Sequence, residues 1–147
     1  MRHQIKTLFA ALNSFDIKMY IFGENHFSED VSIIRNKICR ISPKFILHEL
    51  ADEDKEFYAK NLPNTKLIKI DIKTVDNLPL KDKFEIREKH MLKIIKNYYG
   101  SEITCVVVGD THLRTIETTE LGEISPISLW AKKKNIKVIR SKSGEIM

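Results

Sequence analysis

The sequence predicts a single α/β domain, a mostly parallel sheet with helices on both faces, on three observations. Short apolar runs rich in β-branched residues alternate with segments of helical periodicity, the pattern of strand–helix–strand units. Two of those runs end in a glycine followed by polar residues, and ligand sites in open parallel sheets form just beyond the carboxyl ends of strands. The 147 residues, 42% hydrophobic and 31% charged, suit one ordinary core and contain no linker or low-complexity segment.

With only 5 Gly and 4 Pro, apolar periodicity does most of the sorting. Gln4 to Leu12 suits a helix with Ile5, Leu8, Phe9 and Leu12 on one face. Lys18 to Phe22 reads as a buried strand ending at Gly23. Ser28 is placed to cap a helix running to Ile41, with Glu29 and Asp30 in its first turn and Val31, Ile34 and Ile38 inward. Pro43 precedes a second strand, Lys44 to His48, then a short helix, Asp52 to Asn61, and a third strand, Lys66 to Ile72. A long helix over Lys81 to Tyr99 closes at Gly100. Ile103 to Val108, β-branched everywhere except Cys105, is the clearest strand. Ser125-Pro126 opens a last helix, with Trp130 as core or helix-packing surface, and Ile136 to Arg140 is a final strand.

Composition narrows the function. A formal net charge of +5 suits an anionic ligand but is too small to demand nucleic acid. The basic cluster Lys132, Lys133, Lys134, Lys137, Arg140 and Lys142 lacks interleaved aromatics and reads as a solvated face. Cys39 and Cys105 are too few and too far apart for a disulfide framework or a zinc motif, and fit a reducing compartment. No run approaches the ~20 apolar residues of a membrane span, and Leu8 to Leu12 is too short for a signal peptide. The expected location is the cytoplasm, with no membrane partner.

The polar residues cluster where strands end. Gly23-Glu24-Asn25-His26 follows the first strand, and Gly109-Asp110-Thr111-His112 follows the fourth. At this composition a Gly-acid-any-His match arises by chance roughly 0.02 times, so two matches at strand ends point to a shared site. Glycine lets the chain turn sharply out of the sheet, and a histidine beyond it can bind metal or move protons. Glu49, directly after the second strand, adds a carboxylate to the same rim, while His48 should face the other way. In the long helix Phe84, Met91, Ile95 and Tyr98 form an apolar stripe that Arg87 interrupts. A guanidinium there must pair with an acid or bind an anion. His90 and Arg114 are weaker candidates.

These residues resemble a family: the superfamily of TraB, TIKI metalloproteases, ChaN and erythromycin esterases. Gly23 with His26-Phe27-Ser28 is similar to an opening Gly-x-x-His-x-Ser motif, and the Gly-Glu-x-His form is closer to the ChaN and esterase branches. Glu49 matches the end of a second motif. Arg87 with Met91 matches a helix motif, and Val106 to Leu113 matches a strand running into Gly-x-x-His. Ile86 stands where the family carries an acid, and Glu88 where it carries Asn.

The resemblance implies an α/β sandwich with a hydrolytic, often metal-dependent site. Two imidazoles and a carboxylate from His26, His112 and Glu49 form a common ligand set for manganese, cobalt or zinc. Glu24 or Asp110 would orient a histidine or take a proton, and Arg87 would steady negative charge on a small-molecule or peptide substrate. A metal-free account keeps a histidine as general base. Two alternatives stand beside the hydrolase: a non-catalytic module holding a metal, haem or anionic ligand, and a metallophosphoesterase-like enzyme suggested by Asp110-x-His112. The latter motif normally follows the first strand of its fold, whereas here it follows the fourth.

Overall fold

The structure, a computed structural model, describes residues 18–25, 27–100 and 102–140. Five strands form one all-parallel sheet: β1 (Met19–Glu24), β2 (Phe45–His48), β3 (Lys66–Lys69), β4 (Thr104–Gly109) and β5 (Lys137–Ile139). Four α-helices connect them: α1 (Ser28–Ile41), α2 (Ala51–Asn61), α3 (Leu80–Tyr98) and α4 (Pro126–Lys133). A 3-10 turn, Asp110–Leu113, follows β4 directly. The predicted helix over Gln4 to Leu12 lies outside the described residues.

The strand order is β3-β2-β4-β1-β5. From β1 the chain moves towards the β2 and β3 edge, and from β4 it moves the opposite way to β5. The connections therefore diverge between β1 and β4, the kind of switch point beside which ligands bind in open parallel sheets. Alternate strand residues face two separate cores. Met19, Ile21, Leu47, Val106 and Val108 pack with Met91 and Ile95 of α3 and Ile127, Trp130 and Ala131 of α4. Phe22, Ile46, Cys105 and Val107 pack with Ile34 and Ile38 of α1 and Tyr58 of α2. The sheet is thus covered on both faces, and β4, buried at all six positions, is its centre.

Several boundaries move for identifiable reasons. β1 continues two residues past Phe22 because Gly23 and Glu24 still pair with Val108 and Gly109. β3 ends at Lys69 rather than Ile72 because β2, its one neighbour among the described residues, ends opposite it at His48. Ser28 is the first residue of α1, and Phe27 holds the cap position without a side-chain cap bond. Val31 is half-buried rather than inward like Ile34 and Ile38. Ser125 does cap α4, its hydroxyl accepting from the N–H groups of Ile127 and Ser128, with Pro126 in the first turn. No helix among the described residues is long and apolar enough to cross a membrane.

Candidate functional site

Strand alternation sorts the rim residues onto opposite faces of the sheet. Met19 and Ile21 face α3 and α4, so Gly23 does too, and Glu24 turns to the α1 and α2 side with Phe22. Along β2, Leu47 faces α3 and α4, which sends His48 to the other face and Glu49 back. Two polar clusters result.

The first lies under α3. Glu49 is buried, and its Oε1 accepts the Gly109 N–H at 2.5 Å while its Oε2 accepts from Arg87 at 2.8 Å. Arg87 also grips both oxygens of Asp71, at 3.0 and 2.7 Å, so its charge is shared between two acids. His112, 2% exposed, directs Nδ1 to Glu88 at 2.8 Å and Nε2 towards Glu49 Oε2 at 3.4 Å. Glu88 in turn takes two bonds from Arg114, at 2.5 and 3.1 Å. The Phe84 ring lies over the imidazole, centroids 4.7 Å apart.

Electrostatics follow from this packing. Burial would raise the Glu49 pKa, but His112, the Gly109 N–H and Arg87 outweigh it and bring it down to about 2. Burial likewise works against a charged His112, yet Glu49 and Glu88 overcome it and raise its pKa. The group is therefore a place where positive charge is stabilised between two buried carboxylates.

The second cluster lies under α1 and α2. One ligand atom from each of Glu24, His48 and Asp54 lies within 4.8 Å of the others, so this buried trio could hold a metal ion. His48 constrains that role. Its Nδ1 accepts the Leu50 N–H at 2.9 Å, so the ring proton sits on Nε2 and is donated to Asp54 at 2.7 Å. Arg35 also donates to Asp54. Burial opposes ionisation of Asp54, but His48 and Arg35 prevail and lower its pKa. A cation at Nε2 would have to displace that proton and break the Leu50 bond as well.

The expected site residues are thus divided. Glu49, Arg87 and His112 come together under α3. Glu24 does not join them, because its register in β1 places it on the other face. Asp110 stands over Gly23 and is held by Arg140 through two bonds of 2.8 Å. His26 lies outside the described residues, as does Lys142. Sequence reasoning passed over Glu88, Asp71 and Asp54. Glu88 carried a readable signal: it lies four residues after Phe84 and three before Met91, inside the same apolar stripe as Arg87. Asp71 and Asp54 had none, since each meets its arginine only through the tertiary fold.

A cleft of about 750 Å³ opens between α3 and the 114–126 segment, with Glu88 and Arg114 in its wall and Lys81, Glu85, Thr118 and Leu129 around them. Fold and site together define a doubly wound α/β protein with a buried carboxylate–histidine–arginine cluster at the carboxyl ends of β2 and β4. No protein-family model matches the chain, and no curated protein or solved structure does either.

Proposed function

We propose that this chain is a divalent-metal-dependent hydrolase of the kind its motifs resemble, with His26, Glu49 and His112 as its ligand set. The observation that carries the reading is the support around the two ligand side chains. Ligating histidines characteristically give their second ring N–H to a carboxylate, and ligating carboxylates are themselves hydrogen-bonded. Glu88 holds His112 Nδ1, which leaves Nε2 facing Glu49. The Gly109 N–H and Arg87 fix Glu49, and Asp71 balances the Arg87 charge. With Glu88 on Nδ1, the neutral imidazole presents a lone pair towards Glu49. A proton on Nε2 and a metal ion compete for that position.

A divalent ion held there would supply Lewis acidity and lower the pKa of water in the site. The protein's own groups supply placement: Arg87 and Gly109 keep the carboxylate ionised and oriented, and Glu88 with Arg114 keeps the ring in one tautomer. A small-molecule or peptide substrate suits the adjacent cleft in size, and manganese, cobalt or zinc suits the mixed nitrogen and oxygen donors. Two free thiols, Cys39 and Cys105, are in keeping with the reducing cytoplasm.

Hydrolysis of a panel of peptide, ester and phosphoester substrates is expected to disappear on chelation and return with one of these ions. Metal analysis is expected to find the ion in the wild type and little in His112→Ala. Activity indifferent to chelation would overturn the metal and leave His112 as an acid–base group. Arg87→Ala is expected to weaken metal binding about tenfold or more by freeing Glu49. Unchanged affinity with lost stability would make Arg87 a structural residue. The Phe84 ring over a 2% exposed His112 favours a second reading, a metal-holding module without turnover. Metal bound with no hydrolysis across the panel selects it.

A further inference from the structure

We propose that Arg140, at the far edge of the sheet, is a positioning residue for His112 and acts through Asp110; this rests on the role of His112 given above. The arginine follows β5 and the aspartate follows β4, and β1 lies between those strands. In the parallel register Phe22 pairs with Ile139, so Arg140 comes level with Gly23. Gly23 pairs with Val108, and Asp110 lies two residues beyond. The Arg140–Asp110 pair therefore spans β1 directly over Gly23. Its geometry is bidentate: Nε to Oδ1 and Nη2 to Oδ2, both at 2.8 Å, with Nη2 also 3.3 Å from the Asp110 carbonyl oxygen.

Gly23 is what makes the crossing possible. A Cβ built there would lie 2.5 Å from Asp110 Oδ1 and 3.0 Å from Leu113 Cδ1. The carboxylate and the turn it begins occupy the space a side chain would take. The glycine of the first Gly-acid-x-His unit thus makes room for the acid of the second.

The clamp matters because the turn carrying His112 is short. The 3-10 turn has no side-chain cap at its start, whereas its end is held by the Arg114 N–H and guanidinium on the Thr111 carbonyl and by the Ser128 hydroxyl on the Leu113 carbonyl. Downstream it is fixed by Leu113 in the core and by the Ser125 hydroxyl donating to the His112 carbonyl. Upstream, Arg140 holds both the side chain and the carbonyl of Asp110. Two residues later His112 must place Nδ1 on Glu88 and Nε2 towards Glu49. Gly109 before the turn is fixed by the sheet and by Glu49, so the Arg140 grip on Asp110 governs the first residue of the turn itself, from which the ring is aimed at both acids.

The test compares the wild type with Arg140→Ala, Arg140→Lys and Asp110→Asn, and with Lys137→Ala as a control for lost surface charge. Two readouts are taken at equal fold content, checked by thermal melting. One is the downfield proton resonance of His112 Nδ1–H, assigned by its absence in His112→Asn. The other is Mn²⁺ affinity by calorimetry. Arg140→Ala is expected to broaden or shift the resonance and to weaken Mn²⁺ binding about tenfold or more. Arg140→Lys should recover only part, because an ammonium cannot grip both oxygens. Asp110→Asn should resemble Arg140→Ala, and the double variant should be no worse than either. A resonance and an affinity unchanged in Arg140→Ala would overturn the proposal, as would equal effects in Lys137→Ala. If the wild type takes up no Mn²⁺, the metal reading fails by itself, and the resonance alone decides the role of Arg140.

Discussion

Glu88→Ala is expected to destabilise the fold by about 3–5 kcal/mol, the largest effect of any single substitution in the site. Glu88 is fully buried and serves as the counter-charge for both Arg114 and His112. Alanine is the better helix former, so α3 itself loses nothing. The cost comes from two buried cationic or polar groups left without their acceptor. Glu88→Gln, which keeps one acceptor oxygen, should cost less. The double variant Glu88→Ala/Arg114→Ala should cost less than the sum of the two singles, because removing the arginine also removes the orphaned charge. Urea unfolding of the wild type, the three single variants and the double variant measures this. Strict additivity would mean that the pair does not act as a unit.

Acid should unfold the protein in part through Glu49. Its pKa is brought from an ordinary 4.5 to about 2 in the folded protein. A depressed carboxylate contributes stability that is fully present above the unfolded value and is lost as pH falls towards the folded one. The window is therefore pH 4.5 down to 2, and the stake is roughly 3 kcal/mol. His112, whose pKa is raised, is protonated in both states across that window and adds no slope there. Unfolding free energies of the wild type and Glu49→Gln, measured with chelator present, should converge by about that amount between pH 5 and pH 2. A constant difference would mean that Arg87, His112 and the Gly109 N–H do not hold Glu49 ionised.

Much of this architecture is written in local patterns. The β-branched run ending at Gly109 is legible because a central parallel strand is apolar on both faces. The start of α4 is legible because Ser125-Pro126 satisfies and pre-forms a helix end by itself. Period-two alternation also predicts that His48 and Glu49 face opposite ways, and the structure places them in separate clusters. The same rule, applied to Glu24, would have removed it from the Glu49 site. Its β1 register depends on how far the strand continues past Phe22, and that is set by pairing with β4.

What local pattern could determine was the α/β class, the elements of the described residues to within a few positions, and the meeting of Glu49, Arg87 and His112 at one rim. Helical and strand periodicities, glycine punctuation and the cost of burying a bare charge are properties of short segments, so they survive in sequence. The tertiary structure alone decided the partners: Asp71 and Glu49 for Arg87, Glu88 for His112 and Arg114, Asp54 for His48 and Arg35, and Arg140 for Asp110. Each of these contacts closes a loop between residues on different elements. A charge in an apolar stripe shows that a partner must exist; which acid supplies it depends on strand order, and strand order is a property of the assembled sheet.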